Sequence, residues 1–156
     1  MLEARPKSFC SSTWQIHRGD QVAAEFSHGW WNESAKLIVG DQLYRIERKG
    51  WSGAFRLLSG DQVVLSAKKA SAWKARFEIQ VGDDVMDIVP ENWGGKSWIV
   101  TNRDGTIIGR MGRHSWWTRR AWVDFPEGMP VSVQAFLLCL AVFMWNRQSA
   151  GMGSAS

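Results

Sequence analysis

The chain has 156 residues, of which 45% are hydrophobic and 22% charged, with a formal net charge of +4. These values exclude a disordered chain, and the length suits one domain with a full core. The positive excess makes an anionic partner reasonable but does not identify it. Cys10 and Cys139 form neither a disulfide framework nor a CxxC metal motif, so both are expected to be reduced. Residues 1–14 lack the apolar segment of a secretory signal, so a cytoplasmic location is expected.

Turn signals follow one another from Gly19 to Ser115 at intervals of about 8 to 12 residues, which is typical of short antiparallel strands. The triplet Gly-Asp-Gln begins at Gly19, Gly40 and Gly60. Glycine reaches positive φ without a Cβ clash and aspartate bonds its own backbone, so we interpret these triplets as turns and not as three copies of a site.

Between the turns, apolar and polar side chains alternate with the period of a half-buried strand. Counting the segments between turns predicts roughly eleven or twelve strands. The alternation predicts that four sets of side chains face a core: Val22, Ala24 and Phe26; Val63, Leu65 and Ala67; Trp73, Ala75, Phe77, Ile79 and Val81; and Ala121, Val123 and Phe125.

Residues 135–145 (AFLLCLAVFMW) contain no polar side chain and lie in a helix that is predicted to begin near Pro130. A helix that is apolar on every face must be buried on every face. A barrel wider than eight strands leaves a lumen, and a helix of about 10 Å diameter fills such a space. The sequence therefore predicts a mainly β fold, an antiparallel barrel of about twelve strands that encloses a central hydrophobic C-terminal helix.

The predicted organisation is a single domain over residues 1–148, with strands over about 11–125 and the central helix over about 130–147. Residues 149–156 are expected to form a flexible tail. The rival interpretation of the apolar segment is a C-terminal membrane anchor. Val131 to Trp145 is about five residues shorter than the ~20 residues that span a bilayer, and Ser132 and Gln134 interrupt it, which favours a core helix.

Three features in chain order resemble the tubby C-terminal-like superfamily, which includes tubby-like proteins, phospholipid scramblases and LURP-one-related proteins. They are a strand with Phe77, Glu78 and Ile79, an Asp-Gly turn leading into Ile107–Met111 (IIGRM), and a closing AFLLCLAVFMWNR helix. The resemblance covers nearly the whole chain and rests on pattern and order. It implies a twelve-stranded barrel around a hydrophobic C-terminal helix, and it raises the expectation of phosphoinositide headgroups as ligands.

No catalytic motif is present, and we expect a non-enzymatic protein with no catalytic residue, metal or cofactor. His17, His28 and His114 stand apart in the sequence, and neither GxSxG nor HExxH occurs. A group of carboxylates between residues 83 and 91 lacks the loop pattern of a calcium site, so we interpret it as a solvated hairpin end. The group consists of Asp83, Asp84, Asp87 and Glu91.

Basic residues around two predicted hairpins are the candidate binding residues. Four arginines with two tryptophans between them have the cationic and aromatic character of a surface that meets phosphates. The candidates for an anionic headgroup are Arg110, Arg113, Arg119, Arg120, Trp116 and Trp117, with Lys68 and Lys69 on the earlier hairpin. The alternative is a solvated strand face with tryptophans that belong to the core.

The expected function is a binding or scaffold domain of the tubby-like or scramblase-like type. Its expected partner is an anionic membrane lipid or another phosphate-bearing ligand, which would place a cytoplasmic protein at the periphery of a membrane. Nucleic acid is disfavoured, and no protein partner is indicated. The alternative is a protein-interaction or sugar-binding module without lipid preference, because several tryptophans lie near predicted turns: Trp30, Trp31, Trp51, Trp93 and Trp98.

Overall fold

A computed structural model describes residues 1–8, 12–28, 34–49, 54–69, 76–92, 96–115 and 119–153, with side chains up to residue 146 in the last segment. Within these residues the chain forms twelve strands followed by one helix. The strands are β1 (Leu2–Pro6), β2 (Thr13–Arg18), β3 (Gln21–His28), β4 (Ala35–Val39), β5 (Gln42–Lys49), β6 (Ala54–Ser59), β7 (Gln62–Lys69), β8 (Phe77–Val81), β9 (Asp84–Pro90), β10 (Ser97–Thr101), β11 (Ile107–Arg113) and β12 (Ala121–Asp124), and the helix is α1 (Val131–Gly153).

The twelve strands form one closed antiparallel barrel, which confirms the predicted fold class. Each strand pairs with its neighbours in sequence, and β1 closes the barrel by pairing with β12, where Leu2 lies opposite Val123. One side chain in two along the strands points inwards, as in Leu2 and Ala4 on β1. Closure pairs both edges of each of the twelve described strands.

The helix α1 lies inside the barrel and is buried over its whole apolar segment, from Ala135 to Trp145. Near its far end, the Phe143 ring lies 5.5 Å from the ring of Phe55 on β6 and 6.2 Å from that of His28 on β3. At its start, the Gln134 side chain donates a hydrogen bond of 2.9 Å to the carbonyl of Met129. The lumen of the barrel and the apolar surface of the helix therefore bury each other.

No helix in the described residues combines the length and apolarity needed to cross a membrane. The apolar segment that suggested an anchor packs against the inner face of the barrel instead.

Two predicted boundaries were wrong. The first strand begins at Leu2 and not near residue 11, because Leu2 and Ala4 alternate with exposed residues in a segment too short to give a clear sequence pattern. The helix continues to Gly153 and does not end near 147, so most of the predicted tail is helical and only residues 154–156 lie outside the described part. Small residues, with glycines at 151 and 153, end a helix less sharply than proline does.

β-Bulges explain why two of the predicted inward sets each contain one outward residue. The pairing register shifts between Ile16 and His17, which adds one residue to β3 and turns Val22 outwards, 51% exposed. A second register shift, between Leu57 and Leu58, adds one residue to β7 and turns Val63 outwards, 44% exposed. A bulge reverses the alternation beyond it, so a strict period of two fails there. The predicted positions of Ala24, Phe26, Leu65, Ala67, Phe77, Ile79, Ala121 and Val123 in the core are confirmed.

Candidate functional site: the basic end of the barrel

The two ends of the barrel are built differently. Because successive strands alternate in direction, the odd-numbered strands all end at one end of the barrel, which we call the loop end, and begin at the other, the turn end. Five short turns at the turn end contain a glycine with positive φ. These are Gly19, Gly40, Gly60, Gly82 and Gly105. At four of them the connection is only two residues long, which confirms the interpretation of the Gly-Asp-Gln triplets as turns.

Charge is segregated between these two ends. Within the described residues, the loop-end connections and the two strand residues nearest them contain twelve Lys and Arg side chains but only two carboxylates, Glu78 and Glu91. The twelve are Arg5, Lys7, Lys36, Arg48, Lys49, Lys68, Lys69, Arg76, Lys96, Arg113, Arg119 and Arg120.

The turn end has the opposite sign. Among the described residues, the turn-end connections and the two strand residues nearest them contain nine carboxylates and two arginines, Arg18 and Arg103. The nine are Glu3, Asp20, Asp41, Asp61, Asp83, Asp84, Asp104, Asp124 and Glu127. Because Asp commonly follows Gly in tight turns, and all such turns lie at one end, the turn chemistry itself contributes to the charge asymmetry.

Two of the predicted site arginines pack on aromatic rings at the rim of the loop end. The Arg113 guanidinium carbon lies 5.1 Å from the centroid of the Trp145 ring on α1, and that of Arg119 lies 5.6 Å from Trp14 on β2. Partial burial lowers the pKa of Arg113 from its ordinary value, yet an arginine keeps its charge in a protein. These contacts place a cation at the point where the end of the apolar helix segment meets the barrel rim.

The other two predicted arginines face outwards. Arg110 lies in the middle of β11, is exposed, and forms an ion pair of 3.4 Å with Glu91. Arg120 is exposed and lines an external groove of about 430 Å³ together with Glu3, Arg5 and His17. The four arginines therefore occupy the same region of the barrel but do not share one face.

The predicted lysines lie on another part of the rim. Lys68 is exposed and pairs across the sheet with Glu78, whereas Lys69 is half-buried opposite Phe77. Since β7 is separated from β12 by β8 to β11, Lys68 and Arg120 lie on well-separated parts of the barrel wall, although both belong to the loop end. Trp116 and Trp117 lie outside the described residues.

Most of the described tryptophans are buried. Trp14, Trp98 and Trp145 are buried, and Trp122 is half-buried. The remaining seven of the eleven tryptophans fall in connections between strands that meet at the loop end, and lie outside the described residues. They are Trp30, Trp31, Trp51, Trp73, Trp93, Trp116 and Trp117.

The carboxylate group around β9 is spread along the strand. Asp83 and Asp84 are at the turn end, Glu91 is at the loop end, and Asp87 between them accepts a hydrogen bond of 2.7 Å from Arg76. In the part of the chain that the structure describes, no three His, Cys, Asp or Glu side chains are grouped so that they could hold a metal ion. Cys139 is fully buried in α1, and burial raises the pKa of its thiol; Cys10 lies outside the described residues.

Seven of the loop-end cations were not among the predicted site residues: Arg5, Lys7, Lys36, Arg48, Lys49, Arg76 and Lys96. They are isolated or paired in the sequence, and only the closed topology brings them to one end. The sequence nevertheless contained a pattern that predicts this grouping, because basic residues occur in alternate connections between strands and aspartates occur in the other connections.

Comparison with known proteins found no matching family model, curated protein or solved structure.

Proposed function

We propose that this protein is a non-enzymatic binding domain whose loop end docks on anionic membrane lipid headgroups. The observation that carries the proposal is the segregation of charge, with twelve cations and two carboxylates at the loop end and nine carboxylates and two cations at the turn end. The resemblance to the tubby-like and scramblase-like barrels supports the same class of ligand.

The barrel is long enough for its two ends to act as separate charged surfaces at physiological ionic strength. Val131 and Trp145 are 14 residues apart in α1, so the two ends are separated by about 21 Å at 1.5 Å per residue. The Debye length at physiological ionic strength is about 8 Å, so a membrane at the loop end is screened from the carboxylates of the turn end. The protein approaches such a surface with its loop end first, although its net charge is only +4.

A polybasic surface near an anionic leaflet gains about 1 kcal/mol for each Lys or Arg that reaches it. A few of the twelve cations in simultaneous contact are therefore enough for measurable, reversible binding. A flat lipid surface also suits cations that surround a rim, whereas a single small ligand would need them in one pocket.

The test is co-sedimentation with vesicles of neutral lipid and with vesicles that contain an anionic lipid. We expect binding to the anionic vesicles only, with affinity that falls as salt rises. The double variant Lys68→Glu with Arg120→Glu reverses two exposed loop-end charges and is expected to weaken binding by at least about tenfold, since four units of charge change near the surface.

The matched control is Arg18→Glu with Arg103→Glu, which changes the net charge equally at the turn end. It should leave vesicle binding nearly unchanged. Equal binding to neutral vesicles, or equal weakening by both double variants, would show that the loop end is not a membrane surface. Binding of sugars or nucleic acid in place of vesicles, detected by tryptophan fluorescence, would support the alternative of a different binding module.

A further inference from the structure

A stripe of aliphatic side chains crosses the outside of the barrel, away from the core that the helix fills. Ile38 on β4 pairs with Leu43 on β5, and they are 46% and 60% exposed. Leu58 on β6 pairs with Val63 on β7, which is 44% exposed. We call Ile38, Leu43, Leu58 and Val63 the outer stripe. It spans four adjacent strands, or about 14 Å at 4.8 Å per strand.

Leu58 shows that the outer stripe is a small apolar cluster and not a set of isolated residues. It follows the inward Leu57 on a regular strand and pairs with the exposed Arg45, so it faces outwards. It is nevertheless only 4% exposed and does not belong to the core inside the barrel. Isolated exposed aliphatics are common on proteins, whereas a contiguous set often marks an interface.

Charges of opposite sign flank the outer stripe. On the turn side lie Asp41 and Asp61, in the turns that join β4 to β5 and β6 to β7. On the loop side lie Lys36, Arg45 and Arg56. Glu47 lies among these cations, 3.5 Å from Arg45 and 2.9 Å from Arg56, which leaves the loop side with a net positive charge.

We infer that the outer stripe is the interface of a twofold symmetric dimer, with a second copy of this chain as its occupant. A twofold axis that lies between the two barrel walls, along the stripe, turns the second copy face to face with the first. The two stripes then cover each other, and the turn side of each copy faces the loop side of the other. Across the interface Asp41 meets Lys36, and Asp61 meets Arg45.

Charge selects this arrangement over the parallel one. With the twofold axis along the strands, Asp41 and Asp61 would face the same aspartates of the second copy, and like charges oppose association. Isologous contacts of this kind form closed dimers, the commonest symmetric assembly. The two loop ends then point in opposite directions.

The test is sedimentation velocity without lipid, over a roughly hundredfold range of protein concentration. We expect a reversible dimer for the unmodified chain. Leu43→Glu places a charge within the stripe and should raise the dissociation constant at least about tenfold. Ile107→Glu is the matched control, because Ile107 is equally aliphatic and 46% exposed but lies on β11, remote from the stripe. It should leave the dimer intact.

A charge swap tests the orientation of the two copies. Asp41→Lys and Lys36→Asp should each weaken the dimer, and the double variant should restore it because both contacts reform with reversed signs. A monomer at every concentration, equal effects of Leu43→Glu and Ile107→Glu, or a double variant weaker than both single variants would overturn the proposal. Because no lipid is present, failure here leaves membrane binding by the loop end standing, and the converse also holds.

Discussion

Truncation of one leucine in the helix tests whether the barrel encloses it. Leu138 is fully buried in the middle of the apolar segment of α1. Leu138→Ala removes three carbons, which corresponds to about 2.4 kcal/mol of lost transfer free energy at about 0.8 kcal/mol each. The closed wall of strands limits collapse into the cavity, so we expect a total loss of about 3–4 kcal/mol in the free energy of unfolding.

The assay is equilibrium unfolding in urea, followed by far-ultraviolet circular dichroism. Ile107→Ala removes three carbons from a side chain that is 46% exposed, and should cost under about 1 kcal/mol. If the two variants lose equal stability, the helix is not packed inside the barrel. Leu138→Asp places a carboxylate in the same position and should prevent folding; a folded, soluble Leu138→Asp protein would contradict the plugged barrel outright.

Two further predictions use buried groups. Gly109→Ala should destabilise the fold by about 1–3 kcal/mol, because a Cβ there would overlap the ring of Phe125. Gly128→Ala meets no neighbouring atom and should have a much smaller effect in the same assay. Burial raises the pKa of Cys139, so its thiolate favours the unfolded chain; stability is retained below about pH 8.5 and falls by up to about 1.4 kcal/mol per unit above it. Urea unfolding between pH 8 and 10 should show this fall relative to Cys139→Ala, and parallel curves for the two proteins would refute it.

The barrel was predictable because its signals are local. Each tight turn needs a glycine and each half-buried strand needs alternation, so the strand count follows from the chain alone. The all-round apolar helix then required a wide barrel to bury it. Val22 and Val63 were misplaced because a bulge depends on the pairing of two strands, which single-strand alternation does not reveal.

The candidate site was only partly predictable because it is a property of the closed topology. The segment from Arg110 to Arg120 attracted attention through local density, yet its arginines point in different directions. Isolated cations such as Lys7 and Lys96 can be assigned to the loop end only when the strands are known to alternate in direction around a closed barrel. Outer residues such as Leu58 look like core residues in the sequence, because burial by neighbouring side chains on the outside leaves no distinct pattern.

The position of the helix constrains the order in which the fold is assembled. The barrel closes through β1 and β12, whose paired residues Leu2 and Val123 are separated by nearly the whole strand region of the chain. Bulky rings such as Phe136 and Trp145 fill the closed barrel tightly, so we expect the open sheet to wrap around the helix before β1 and β12 pair. We therefore expect ring closure to be the last step, and slower than the formation of the sequential hairpins because of its long loop.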